Sequence, residues 1–397
     1  MGEVKFLPPK QNALLTRLLQ SICTVVIYFV YQIKLEVSDR DIALLKEIDD
    51  KRVVYLPNHS NLDDGLVMFL FSARLKQLFH YIVAYEAFNG IVGWIMQRVG
   101  AYSIRRGVGD RYSIMKTIEI LQQPKCKLVI FPEGGCSYQN DTVIPFRTGG
   151  IELAFKAMSK LVKQENTVPK LYFVPVSIQY FYPGQTDWRI ERSLGDLEQA
   201  LSIQPTKKDF YQRLRAIAER VLTNIEVEYK IEPQANSDWN QRIMQLKQHL
   251  LNYCERSLNL DATSQSPNRE RVYKIQSVLA DLSQSDIPSN LDPQHLKLTT
   301  VRLLNFDAIY DGYVAQKPTP ERFFATLDRL EREVFKTDRP KSKGLRRARI
   351  KIDLPIDAAE YWQERIERET IEDLTQTIQY KVQANLESGN RNDVKLF

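Results

Sequence analysis

His59 and Asp64 stand five positions apart in the stretch Asn58-His59-Ser60-Asn61-Leu62-Asp63-Asp64. The apolar run 53–56 precedes them and a second apolar run, 66–70, follows. That order reads as strand, short polar turn and helix. A histidine at a strand's C-terminal end, with a carboxylate in the next helix's first turn, can act as a general-base dyad. The imidazole takes a proton from an attacking group, while the carboxylate fixes the tautomer and stabilises the imidazolium. Five residues on a regular helix subtend about 140°, so the two meet only if His59 precedes the helix and Asp64 opens it. In that first turn the helix dipole also keeps a carboxylate ionised. Asp63 is the nearest rival. A plain helix cap from Asn58, Ser60 or Asn61 is the competing reading. No serine or threonine nucleophile is placed to partner the histidine, which points to direct attack by a substrate hydroxyl. A Cys136–His59 pair would instead supply a thiol nucleophile, but the glycine-flanked elbow that presents such a nucleophile is missing around Cys136.

Two further stretches carry groups suited to an anionic or hydroxylic ligand. Arg105 and Arg106 end the alternating run 101–104, which aims one guanidinium at the rim of a site; a phosphate clamp and a solvated strand end are both open. Glu133 follows the apolar run 128–131. It is followed by Gly134 and Gly135, which let the backbone approach a ligand closely or simply make a turn. Glu133 itself could bond acceptor hydroxyls or neutralise an arginine. Metal chemistry finds no support: the four cysteines (Cys23, Cys126, Cys136, Cys254) form no C-x-x-C pair, and His59, His80, His249 and His295 are scattered. No metal and no bound cofactor is expected, and a reducing compartment is the default.

The elements that must position these groups alternate along the chain. Between residues 45 and 185, strand-like runs at 53–56, 81–84, 101–104, 128–131 and 171–177 are separated by helix-like segments. This predicts an α/β fold with a largely parallel central sheet flanked by helices. Active groups then gather at the strands' C-terminal ends, where His59, Arg105 and Glu133 fall. With 397 residues there is room for two domains or one with a large appendage. Three regions follow: an N-terminal membrane-associating helical segment over 1–40, a catalytic domain over 41–195, and a mostly helical C-terminal extension with two short strands over 196–397. The uncharged run 18–33, bracketed by Arg17 and Lys34, is about four residues short of the roughly 20 that a spanning helix needs. A monotopic helix in one leaflet, a core helix and a true span are its three readings. No small-residue cleavage site follows it. In the extension, helices are expected over 197–222, 239–258, 271–282 and 320–335 and at the end to about 388, strands over 225–231 and 348–352, and a linker over 261–268. The basic run Arg339, Lys341, Lys343, Arg346, Arg347, Arg349 and Lys351 reads as a solvated loop or as a contact for anionic lipid headgroups. A net charge of +6 without an aromatic–basic or finger motif argues against nucleic acid.

The motifs above occur in company. The block Asn58 to Asp64 resembles the NH-x4-D block of the glycerolipid acyltransferases. Gly100-Ala101-Tyr102-Ser103-Ile104-Arg105-Arg106 resembles their second block, and Phe131-Pro132-Glu133-Gly134-Gly135-Cys136-Ser137 their third. Pro145-Phe146-Arg147-Thr148-Gly149-Gly150 also fits, and Val174-Pro175-Val176-Ser177 resembles the fourth. The resemblance covers roughly 40–185 and the blocks keep the family's order. It implies an O-acyltransferase in which His59 and Asp64 are catalytic. Asn58, Arg105, Arg106, Glu133, Gly134, Gly135, Arg147 and Pro175 would bind substrate. The implied reaction moves a fatty acyl group from acyl-CoA or acyl carrier protein to the hydroxyl of a lysoglycerolipid, lysophosphatidic acid first, on the cytoplasmic face of a membrane as a peripheral or monotopic enzyme. Two departures bear on the acceptor: Gly135-Cys136 replaces the usual Thr-Arg, and Tyr85 stands where lysine is common. Another lysolipid acceptor, a non-catalytic lipid-binding scaffold and a Cys136 thioesterase are the rivals.

Overall fold

The computed structural model describes residues 6–204, 209–233, 237–260, 266–282, 291–307 and 309–389. Its centre is an eight-stranded sheet whose order begins with β1 (Ile33–Val37), then β7 (Arg346–Ile352) and β6 (Leu171–Phe181). It continues with β2 (Arg52–Pro57), β5 (Lys127–Val129), β3 (His80–Ala84) and β4 (Ala101–Ile104), and β8 (Ile356–Asp357) pairs with β6 off this path. β2 runs parallel to both β5 and β6, β3 to both β4 and β5, and β1 to β7; only the β6–β7 and β6–β8 pairs are antiparallel. The fold is therefore α/β with a mostly parallel sheet. Its strands read as apolar runs because both faces are covered: five of the six β2 residues are buried. On one face lie α1 (Ala13–Tyr31) and α3 (Asp64–Leu75), burying Cys23, Ile27, Val67, Met68 and Phe71. The other carries α5 (Arg111–Gln122), α6 (Gly149–Glu165) and α14 (Arg368–Gly389), which contributes Leu374, Ile378, Val382 and Leu386.

The chain after 186 does two different things. α7 (Asp187–Ala200), α8 (Phe210–Glu228), α9 (Trp239–Ser257), α10 (Asn268–Asp281), α11 (Pro293–Asn305), α12 (Tyr313–Gln316) and α13 (Pro320–Phe335) build a separate apolar core around Leu194, Ile217, Leu250, Ile275 and Leu327. The remainder returns to the sheet, where β7 enters between β1 and β6. Two expectations are corrected here. The stretch 225–231 is no strand: its first residues are the last turn of α8, because Val221, Leu222 and Ile225 repeat at helical spacing and are all buried. The single helix expected over 197–222 is two, α7 ending at Ala200 and α8 starting at Phe210. Within the expected linker, 261–265 lie outside the described residues.

The expected basic loop is largely neutralised. Its first part ties down Asp63 and Glu331, and Arg347 and Arg349 on β7 flank Glu36 of β1. Helix α1 is longer than its uncharged run suggested. At 19 residues it is long and apolar enough to cross a membrane by length and composition. One stripe of it (Thr16, Gln20, Cys23, Ile27) is buried against the protein, and Leu14, Phe29 and Val30 are exposed.

Candidate active site

β2 ends at Pro57 and delivers a turn whose first residue, Asn58, is fully buried. Its amide spans the gap to β6, donating to the Ile178 carbonyl (3.0 Å) and accepting from the Ile178 N–H (2.7 Å). Both polar ends are thus consumed by backbone, so Asn58 pins the turn rather than meeting a substrate.

His59 comes next, its backbone held from both sides by the loop after β5. Its N–H donates to Glu133 Oε1 (2.7 Å), and its carbonyl accepts from the Ser137 N–H (2.7 Å) and hydroxyl (3.1 Å). Its ring rests against Phe131, with centroids 4.5 Å apart. Nδ1 lies 2.9 Å from Asp64 Oδ2; the His59 side chain is 20% exposed and that of Asp64 is 0% exposed. Asp64 is the first residue of α3, so the strand–turn–helix order is what lets a five-residue spacing close. The same Oδ2 accepts from the Asn61 N–H (2.8 Å), and Oδ1 accepts from the Tyr180 hydroxyl (2.7 Å). Nδ1 faces the carboxylate, which leaves Nε2 as the ring's outward nitrogen. Asp63 points the other way, paired with Arg346 (2.7 Å) and Arg339 (2.9 Å).

Glu133 does not present its carboxylate to the site. It is 1% exposed, and its second oxygen accepts from the Ile144 N–H (3.3 Å). Burial pushes its pKa up to about 8, against the opposing pull of those two backbone bonds. Gly134 has φ +69 and lies under the Arg147 side chain, a conformation and a gap that suit glycine alone. Pro175 is buried inside β6, between β2 and β7. Burial, with the Asp64 charge nearby, pushes the Cys136 thiol well up, so the thiolate that a thioester route requires is suppressed.

The three arginines lie on the loops after β4 and β5, and each has a partner. Arg105 Nη2 donates to Ser277 Oγ (2.9 Å) and Asp281 Oδ2 (2.6 Å). Arg106 sits over the Tyr273 ring (4.3 Å) and pairs with Glu86 (3.5 Å). Arg147 lies over the same ring (5.7 Å) and 3.7 Å from Glu270. Ser277, Asp281, Tyr273 and Glu270 all belong to α10, so the helical insert closes one side of the site. None of the contacts with α10 was legible in the sequence, since those partners lie more than a hundred positions away. Tyr180 was missed for the same reason; its only signal is that it shares a β6 face with Val176 and Ile178.

Comparison with known proteins agrees with this geometry. Residues 35–179 match the family model described as Acyltransferase, a span that runs from within β1 to near the end of β6 and contains His59, Asp64, Arg105 and Glu133. No curated protein matches the chain. Over residues 35–179, therefore, the chain is similar to the Acyltransferase family.

Proposed function

We propose that the protein transfers a fatty acyl group from an acyl thioester, carried by CoA or an acyl carrier protein, to the free hydroxyl of a lysoglycerolipid. The observation that carries the reading is the His59–Asp64 contact, with the carboxylate fully buried and the imidazole partly open. In the reaction His59 Nε2 accepts the hydroxyl proton as the oxygen attacks the thioester carbonyl. The tetrahedral intermediate then expels the thiolate, which takes the proton back from the imidazolium. Asp64, held by Tyr180 and the Asn61 N–H, fixes the tautomer and balances the imidazolium charge. The four sequence blocks imply lysophosphatidic acid as acceptor and phosphatidic acid as product. A second reading, another lysolipid acceptor, is favoured by the partners already bound to Arg105, Arg106 and Arg147.

A membrane-bound acceptor suits the N-terminal surface. α1 exposes Leu14, Leu18, Val25, Phe29 and Val30, and the helix Gly90–Arg98, α4, exposes Ile91, Val92 and Trp94. The two are tied by backbone bonds from Lys10 and Asn12 to Gln97 and Arg98. Such a surface supports peripheral or monotopic attachment to a membrane.

The test is incubation of the purified chain with labelled acyl-CoA and a lysolipid panel, following free thiol and product lipid. Thiol release should need an acceptor, and His59→Ala should lower it by about 10² to 10⁴-fold with the circular dichroism spectrum kept. Acceptor-independent thiol release would make the protein a thioesterase; no release with any acceptor would make it a scaffold.

A further inference from the structure

Helix α10 packs against the two loops that carry Arg105, Arg106 and Arg147. It lies between the loop after β4 and the loop after β5, the second of which holds the His59 backbone. Its Arg269 is buried and donates to the Gly135 (2.8 Å) and Cys136 (3.2 Å) carbonyls while pairing with Asp307 (2.7 Å). Tyr273, 2% exposed, reaches the Gly135 backbone closely enough that a side chain there would collide with its hydroxyl. Gly107 meets the α10 backbone at Tyr273 and Lys274 just as closely. The other side of α10 is anchored in the helical core by Val272 and Ile275 and by Arg271 on Glu255 (2.6 Å). It is a packed wall, not a loose flap.

The wall also cancels charge. A phosphate monoester carries nearly two negative charges and draws its affinity from guanidiniums free to fork onto it. Here Arg105 already holds Asp281, Arg147 is near Glu270, and Arg106 is stacked on Tyr273. A phosphate entering this corner would have to displace two carboxylates and a buried ring, or sit against them.

We infer that α10 sets the acceptor class: the acceptor is a hydroxyl-bearing lipid whose headgroup lacks a phosphate monoester, and Glu270, Tyr273 and Asp281 occupy the position that such a phosphate would take. The inference rests on the transferase reading of the same site, and the experiment separates the two.

The full-length protein is assayed with one acyl-CoA and two acceptors of the same acyl chain, a monoacylglycerol and its 3-phosphate. The wild type should favour the neutral acceptor in kcat/KM by about tenfold or more, the scale of one charge-assisted contact. Glu270→Gln with Asp281→Asn removes the charges and keeps the hydrogen-bonding shape. This double variant should move the ratio toward the phosphate-bearing acceptor by about tenfold. Binding of the 3-phosphate lysolipid to each protein is measured alongside by calorimetry, and it should tighten in the double variant whether or not turnover occurs. Tighter binding without turnover would sink the transferase reading and keep the role of α10. A wild type that acylates the phosphate-bearing acceptor as well as the neutral one, or a double variant with unmoved ratio and affinity, would overturn the inference.

Discussion

Asp64 and Asp63 are neighbours with opposite assignments: one accepts from His59, Asn61 and Tyr180, while the other holds two arginines of the β7 segment. Asp64→Asn should therefore cost nearly as much activity as His59→Ala, because the amide cannot hold the required tautomer. Asp63→Asn should lower the unfolding midpoint and leave the turnover of the folded enzyme close to wild type; a loss of kcat from Asp63→Asn equal to that from Asp64→Asn would reverse the assignment. Tyr180 touches no substrate in this reading and acts through Asp64. Tyr180→Phe keeps the buried ring and removes the hydroxyl, so kcat should fall by about tenfold with KM little changed, as expected for one lost hydrogen bond to a charged group. Glu133 gives a pH prediction. Its carboxyl titrates near 4.5 in the unfolded chain and near 8 when buried. Between those values the folded state binds more protons, so the stability from this group is complete below pH 4.5 and is lost as pH rises toward 8. Glu133→Gln should flatten the fall in melting temperature across that window; a mutant whose pH profile parallels the wild type would show that Glu133 titrates normally.

At the scale of elements, α1 has two faces with separate jobs. Thr16, Gln20, Cys23 and Ile27 bind it to the protein, Gln20 through the Ser72 hydroxyl and the Gln77 carbonyl. The opposite face is bare and apolar. Replacing Leu18, Val25 and Phe29 together with glutamate should abolish co-sedimentation with liposomes and leave the melting temperature within a few degrees, as exposed positions usually do. A triple variant that still binds liposomes would assign membrane attachment elsewhere, and one that fails to fold would make α1 a core helix. Removing α1 outright is a poorer test, because the edge strand β1 follows it after a single residue.

Across the whole molecule, the catalytic domain is not contiguous in sequence. β6 pairs with β2 along its first half and with β7 along its second, and β7 also carries β1. α14 then seals one face of the sheet. A fragment of residues 35–195, which contains all of 35–179, should thus lack cooperative thermal unfolding: it leaves the β6 edge unpaired, β1 without its neighbour and the α14 face exposed. A sharp calorimetric transition for that fragment would show the C-terminal elements to be dispensable.

Much of this was written in short-range pattern. Apolar runs of four to seven residues placed β2 to β6, and the strand–turn–helix order around Pro57 was enough to bring His59 and Asp64 together, because neighbours in sequence have few ways to be apart. The alternation in 348–352 likewise announced β7, although not its seat in the middle of the sheet. Local pattern failed at 225–231, where alternation and helical spacing coexist and only burial against the helical core decides between them. It failed too for Asn58 and Glu133, whose polar groups read as ligand contacts but are spent on backbone N–H and C=O groups brought close by the fold. By itself the sequence determined the fold class and the His59–Asp64 contact across its turn, since each depends on residues within one strand–helix unit. The tertiary structure alone decided that Tyr180 steadies Asp64, that Asp63 belongs to the β7 arginines, and that α10 closes over Arg105, Arg106 and Arg147. Those contacts join segments up to nearly three hundred residues apart, and their geometry comes from packing that no local pattern encodes.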